Sequence, residues 1–426
     1  AQESAYTRLI LLLYNLLFTM DIAIIGGGAA GFMAAITARK ANAKTNVTIF
    51  ERASKVLAKV EVTGGGRCNV TNSFAAITDL KQAYPRGDKL MKRLFNVFNY
   101  KDTYRWFEQR GVPLVTQEDE CVFPKAQDSH AIINCLTRQA ASVEVKISCR
   151  SQLKDIYHTA DGRFELHFGG GEKRYFDRVV IATGGSPHAR GLVYLARMGH
   201  EIESPVPSLF TFTIKDKAFC SLMGTVVDPV VTSIPGTKMK AMGPLLITHW
   251  GTSGPATLKL SSYAARFLAE NDYRSPLAIS WTGDRSRQDV EQELADLALI
   301  NPRKQVGTLH PFGLPARLWL YLIDKIGVDV TKPWGEIGKK TMNKLVETLV
   351  NDQYTIGGKG SFRDEFVTCG GVSLSNIDQN TLESKVCKGL FFAGEVLDID
   401  AITGGFNLQA AWTTGYIAGE KAAMEC

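Results

Sequence analysis

Residues 63–72 read TGGGRCNVTN. Three consecutive glycines surrender backbone entropy and bring no side chain to pack, so the segment makes sense where something must lie against bare backbone. The residues that follow carry the chemistry. Arg67 offers a permanent positive charge to a phosphate, or a proton to a reacting substrate in an unusual setting. Cys68 reads either as a small packing residue or as a reactive thiol, although no resolving cysteine adjoins it. Asn69 is expected to cap a following helix. His249, in GPLLITHWGTSG, is a further candidate proton source, set against the plainer reading of a buried structural imidazole.

The elements that must position these residues begin with DIAIIGGGAAGFMAAITARKA. Its pattern predicts a buried strand over residues 22–25, a glycine turn and a helix to about residue 41. Gly26 suits the tight turn, Gly28 admits a pyrophosphate to the backbone, and Gly31 lets helix and strand pack closely. The helix start at Ala29 and Ala30 presents N–H groups and a positive dipole end to phosphates. A second strand, NVTIFE, ends at Glu51, where an acid accepts hydrogen bonds from ribose hydroxyls. Strand, glycines, helix, strand and acid in this order point to a dinucleotide.

Two later segments favour FAD over NAD. VVIATGG, residues 179–185, reads as a strand opening through Ala182 into Thr183 and Gly184, with an ordinary strand-end turn as the alternative. GLFFAGEVLDIDAITGGFNLQAAW predicts a strand over residues 390–393, then Gly394 and Glu395, a loop to Gly404 and Gly405, and a helix over residues 407–423. Here the acid precedes the glycines, which suits a polyol. Glu395 can accept from ribityl hydroxyls, while the N–H groups near Phe406, Asn407 and Leu408 face a group that gains negative charge, as the N1–C2 edge of reduced flavin does. On this reading Gly65 and Gly66, with Gly64, bring backbone close to flavin or pyrophosphate.

Bulk properties set limits. A chain of 426 residues suggests two or three domains. With 45% apolar and 22% charged residues, disorder is not the default. The formal charge of +6 permits contact with RNA or phosphorylated ligands without requiring it. Eight cysteines without a C-x-x-C pair or a metal-ligand cluster argue against a dithiol relay and a metal site, and fit a reducing cytoplasm. The apolar run at residues 9–18 is too short to span a bilayer and no small-residue cleavage site follows it, so no membrane association is expected and residues 1–19 are read as an extension, with an export signal as the alternative. Short β-rich runs through residues 206–284 suggest a small barrel or sandwich. Helical periodicity follows, with Val290, Leu294 and Leu297 on one face and Leu345, Val346, Leu349 and Val350 on another. A strand at residues 353–357 is expected to rejoin the β domain.

Residues 20–423 resemble the flavoproteins known as BaiN-like or aminoacetone-oxidase-like NAD(P)/FAD-dependent oxidoreductases. The likeness rests on IIGGGAAG, TGGGRCNVTN, ATGG, GPLLITHWGTSGPATLKLS, VTCGGVSLSNID and GLFFAGEVLDIDAITGGFNLQAAW. It implies an α/β fold: a glutathione-reductase-type FAD-binding Rossmann domain interrupted by a β-rich, barrel-like domain and a small helical domain. The corresponding bounds are 20–205 with 365–426, 206–284 with 352–364, and 285–351. Many members carry Gly-Arg-Lys before the triple glycine where this chain has Leu57, Ala58 and Lys59. Lys59 still suits the pyrophosphate, with Arg52 or Arg67 taking the load of the missing cation.

The expected activity is hydride transfer between flavin N5 and a small organic molecule, reducing a conjugated C=C bond or oxidising an amine. No second G-x-G-x-x-G occurs, so NAD(P)H would dock only transiently as electron donor. Relatives of this kind also suggest a uridine of large-subunit ribosomal RNA as substrate. Residues 81–110 carry eight Lys/Arg against three acids among aromatics, as an RNA-tracking surface would. Leu90, Met91, Leu94, Phe95 and Phe98 nevertheless recur there at the spacing of a core-facing helix. A flavin-bound scaffold without turnover is the reading of another class.

Overall fold

The structure, a computed structural model, describes residues 19–360 and 367–424. The apolar run at residues 9–18 and the domain boundary expected at residues 364–365 lie outside the described residues. The chain divides into two units, Ala1–Pro205 with Thr368–Cys426, and Val206–Val367.

In the first unit, strand β1 (Asp21–Ile25) leads to helix α1 (Ala29–Ala41) and strand β2 (Asn46–Phe50). Helix α2 (Tyr100–Glu108), β3 (Lys146–Ser148), β4 (Arg178–Ile181), β5 (Leu390–Phe392) and helix α3 (Phe406–Ala422) follow. The five strands form one parallel sheet in the order β5-β4-β1-β2-β3. The β1 run DIAII is buried at every residue after the first, as a strand covered on both faces requires. Register sets Ile25 beside both Phe50 and Ile181, and Ile181 beside Phe392, so the strand ends line up along one edge.

Helices α1 and α3 bring the two ends of the chain together. Phe32, Met33 and Ile36 of α1 are fully buried. Burying each stabilises the fold by about 1.5–3 kcal/mol relative to exposure. Gly415 and Gly419 share one face of α3, four residues apart. A Cβ on either would overlap the backbone oxygen of Ala30 or Ala34 in α1, so the two helices touch main chain to main chain. Helix α2 starts in a capping box: Asn99 Oδ1 accepts from Lys101 N (2.8 Å) and Asp102 Oδ2 accepts from Asn99 N (2.8 Å). Around it Leu90, Met91, Leu94 and Phe98 are buried. Lys89, Lys92, Arg93, Lys101 and Arg105 are exposed, so the apolar spacing of this region marks core and its charges mark surface.

The second unit contains a closed six-stranded barrel, in the order Phe212–Ile214, Gly251–Ser253, Lys240–Thr248, Val226–Ser233, Ser275–Ser280 and Asp352–Lys359. The last strand pairs with the first and closes the ring. Helices Arg287–Ile300, Ala316–Lys325 and Lys339–Val350 share one continuous apolar core with the barrel, through Phe219, Trp281, Trp319 and Trp334. Val290, Leu294, Leu345, Val346 and Leu349 are buried in it. Buried Asp352 joins the two layers by accepting from Trp281 Nε1 (3.0 Å) and Lys325 Nζ (2.5 Å).

Candidate functional site

The site forms where β1, β2 and β4 end. A Cβ on Gly26 would overlap Ala182 O, and one on Gly31 would overlap Gly26 O, so strand end and helix entrance stand backbone to backbone. Ala182 N donates to Ile25 O at 2.8 Å and locks the neighbouring strand end. Gly28 differs. Its extended backbone suits any residue, and a Cβ there would meet nothing within 4 Å. That open cradle at the N-terminus of α1, above Ala29 and Ala30, fits a pyrophosphate. Glu51 is held at the end of β2, accepting from Gly27 N (2.8 Å) and Ala53 N (2.8 Å). Its remaining lone pairs fit ribose hydroxyls. Arg52 is exposed just beyond.

The triple glycine follows a short helix, Ala58–Val62. Gly64, Gly65 and Gly66 have φ of +59°, +68° and +84°, a run that side chains resist. Their reasons differ. A Cβ on Gly64 would strike Asn69 N and the Phe123 ring, whereas Gly65 and Gly66 face open space. Gly64 therefore serves the loop itself, and Gly65 and Gly66 present bare backbone outward. Arg67 lies over the Phe123 ring at 4.2 Å and donates to Gly64 O (3.2 Å) and Gln127 Oε1 (3.3 Å). Among the described residues it has no carboxylate partner. Cys68 is buried at φ +62°, and desolvation pushes its thiol up to about 12 against a weaker opposing bond with Thr63. It stays protonated at neutral pH, which removes the physical basis for a reactive thiolate and leaves a packing role.

Asn69 corrects one expectation. The chain continues into a short strand, Thr71–Asn72, paired with Cys121–Pro124, and no helix is there to cap. With its amide turned to suit its neighbours, Asn69 donates to Thr71 O (2.9 Å) and Val122 O (3.2 Å) and accepts from Gly405 N (3.1 Å). More of the segment is bonded to the far end of the chain. Thr71 Oγ1 donates to Gln409 Oε1 (2.6 Å), Trp412 Nε1 to Val70 O (2.9 Å), and Asn72 Nδ2 to Gly404 O (3.1 Å). Gly405 sits so close to Thr71 O that a Cβ would overlap it. What presses on this side of TGGGRCNVTN is the start of α3. Thr71, Asn72, Gln409 and Trp412 brace the candidate site from behind and were not among the expected residues. Their partners lie over three hundred positions away, so no local pattern marks them.

At the C-terminal half, Gly394 N donates to Thr414 Oγ1 at 2.8 Å. Glu395 accepts from Thr368 N (2.7 Å) and pairs with the exposed Lys59 (3.4 Å). The carboxylate is thus tethered, with lone pairs left for a polyol. The Asn407 side chain accepts from Ala401 N (2.9 Å) and donates to Ala401 O (3.0 Å), so it shapes its own loop. Phe406 is buried against Phe74 (5.0 Å) and Tyr84 (6.2 Å). Residues Phe406, Asn407 and Leu408 accordingly offer a ligand their backbone N–H groups at the positive end of α3. Arg86 and the fully buried Asp400 form a two-point pair, one arm at 2.6 Å, that braces the same loop. Thr183 is exposed and Gly184 opens onto empty space, beside Gly394 and Glu395 on the neighbouring strand end.

His249 is described in the second unit alone. It is exposed at the tip of the hairpin joining Lys240–Thr248 to Gly251–Ser253, edge-on to Trp250 at 4.3 Å. The buried imidazole expected as the plainer reading is therefore corrected: a two-residue turn leaves the ring nothing to pack under.

A parallel sheet ending on glycine turns, an acid after β2 and a second helix entrance supplied by the far end of the chain together define a Rossmann-type flavoprotein oxidoreductase. The family model described as HI0933-like protein Rossmann domain matches residues 20–421, and the chain belongs to that family of FAD-dependent oxidoreductases. It is 27% identical over 410 residues to the 3-dehydro-bile acid delta(4,6)-reductase of Clostridium scindens, covering 94% of this chain and 98% of that one. It is 27% identical over 404 residues to the ribosomal RNA dihydrouridine synthase of Haemophilus influenzae, covering 92% and 96%. The Escherichia coli ribosomal RNA dihydrouridine synthase is 26% identical over 414 residues, covering 93% and 96%. No helix among the described residues is long and apolar enough to cross a membrane.

Proposed function

We propose that this chain reduces a carbon–carbon double bond conjugated to a carbonyl. The bile-acid reductase and the dihydrouridine synthases share that chemistry by name: a polarised C=C gains two hydrogens. Gly28, Glu51, the Gly65–Gly66 backbone and the start of α3 are the residues that would hold FAD, which would supply the hydride equivalent. The observation that carries the reading is Arg67, a guanidinium fixed on Phe123 by neutral oxygens and lacking a carboxylate partner among the described residues. A permanent cation so placed suits a carbonyl oxygen that gains charge as hydride arrives at the β-carbon. The proton for the α-carbon comes from solvent. NAD(P)H is the proposed transient electron donor, and a reducing cytoplasm the proposed location.

The test is anaerobic mixing of the reduced protein with a cyclic enone or a uridine-containing ribosomal RNA fragment, and of the oxidised protein with a primary amine. We expect rapid flavin reoxidation by a C=C acceptor, with a product heavier by two hydrogens. Arg67→Met should slow that step by about 100-fold while FAD is retained. Reoxidation by no C=C acceptor, or an Arg67→Met variant as fast as the parent, refutes the reading.

A uridine of ribosomal RNA is the second reading, favoured by the solvent-facing Lys89, Lys92, Arg93, Lys101 and Arg105. If it holds, neutralising Lys92, Arg93 and Arg105 together weakens RNA binding and lowers its salt dependence. Unchanged affinity leaves the small enone as substrate.

A further inference from the structure

A groove of about 400 Å³ opens on the first unit between α1, α2 and α3, at the opposite end of α1 from Gly28. Its size falls within the range of small-molecule sites. The lining combines Lys40 of α1, Trp106 and Arg110 at the end of α2, and a stacked pair, Phe98 with Tyr416 (4.5 Å, 20°). Two cations meet at one neutral oxygen. Gln139 Oε1 accepts from Lys40 Nζ (3.2 Å) and from Arg110 Nε (3.2 Å). Arg110 is set in place by stacking on the Trp106 ring at 4.1 Å and donating to Trp106 O at 2.7 Å.

The acids of the groove are already answered. Asp102 pairs with Arg105 at 2.6 Å, and Glu420 with Lys421 at 3.1 Å. Among the described residues neither Lys40 nor Arg110 has a carboxylate partner. Desolvation, and next the Arg110 charge, hold the Lys40 ammonium below its ordinary value, and desolvation lowers Arg110 as well. Like charges gathered on one amide oxygen are what an arriving anion relieves.

We propose that this groove binds the phosphate of a nucleotide, with Lys40 and Arg110 on the phosphate oxygens and the base against the Trp106, Phe98 and Tyr416 lining. Arginine and lysine converging beside aromatic faces match a phosphoryl group that carries a π-system. The shared chemistry has two sources, a free nucleotide or a strand of RNA. The site goes beyond the redox reading and does not rest on it, because none of its residues belongs to the flavin cradle.

The test titrates the FAD-loaded protein with AMP, UMP, a short single-stranded RNA and inorganic phosphate, following quenching of Trp106 fluorescence against a Trp106→Phe control. We expect a nucleotide probe to quench the signal. The Lys40→Gln/Arg110→Gln pair should weaken that probe at least tenfold, and Lys40→Gln alone, at an exposed position, should weaken it less and leave the melting temperature unchanged. Flavin absorbance and turnover should stay as in the parent. Binding of the mononucleotides marks a free nucleotide as ligand; binding of the RNA alone marks a strand. The proposal is overturned if no nucleotide probe binds the parent, or if the double variant and Lys40→Gln both bind as the parent does.

Discussion

Replacing Gly28 by alanine separates the space the protein needs from the space its ligand needs. Gly28 has φ −92° and ψ −168°, and the position of its missing Cβ is open to 4 Å. Without ligand, two small effects oppose each other. Losing a glycine lowers the entropy of the unfolded chain and stabilises by about 0.4–1 kcal/mol. Losing a glycine that precedes a helix costs a comparable amount at the cap. The melting temperature of the FAD-stripped protein should therefore shift by less than about 3 °C. With ligand, the methyl enters the cradle where the pyrophosphate meets the N-terminus of α1. Overlap of that kind costs about 1–3 kcal/mol, a loss of roughly 5- to 150-fold in FAD affinity. Fluorescence titration of stripped protein with FAD, beside a thermal melt, measures both. FAD bound as tightly as by the parent would show that the pyrophosphate does not lie on Gly28. A stripped variant that melts far lower would show that the glycine is there for packing.

Further outcomes follow from other contacts. Gly419→Val forces a side chain into the Ala34 backbone and should destabilise by about 1–3 kcal/mol or more, lowering the melting temperature by several degrees. Arg86→Met leaves the fully buried Asp400 without its cation and should cost about 3–5 kcal/mol by denaturant titration, whereas Arg86→Met with Asp400→Leu should recover much of it. Cys68 remains a thiol in the folded protein to about 12, but ionises in the unfolded chain from its ordinary value of 9.0. The unfolded state thus loses the proton first, and stability falls as pH rises across that window. Cys68→Ala should make the loss shallower, as read by melts at increasing pH. At pH 8 an alkylating reagent should label the exposed Cys149 and spare Cys68.

The backbone geometry of the strand–glycine–helix turn in the proposed flavin cradle was legible because its constraints are local. The spacing of Gly26, Gly28 and Gly31 encodes which backbone atoms come close, and the structure shows the two tight approaches and the one open position. Alternation and turn residues marked the barrel strands in the same way. Of the apolar face expected at Leu90, Met91, Leu94, Phe95 and Phe98, the first three lie buried on a helix that ends at Leu94, while Phe98 is buried and Phe95 half-buried in the turn beyond it. The seam between TGGGRCNVTN and α3 was not legible. Asn69 has the residue type of a helix cap, and only Gly405, from the other end of the chain, decides its role. Thr71, Gln409 and Trp412 carry no spacing signal, since each is selected by a partner remote in sequence. His249 looked equally suited to burial or exposure, and the length of one hairpin turn settled it.

Calorimetric titration of the stripped protein with FAD reads whether both ends of the polypeptide build a single flavin site. We expect one FAD per chain, with affinity that falls both in Gly28→Ala and in Gly405→Ala. A protein that takes up no FAD, or one whose affinity is indifferent to Gly405→Ala, would contradict it.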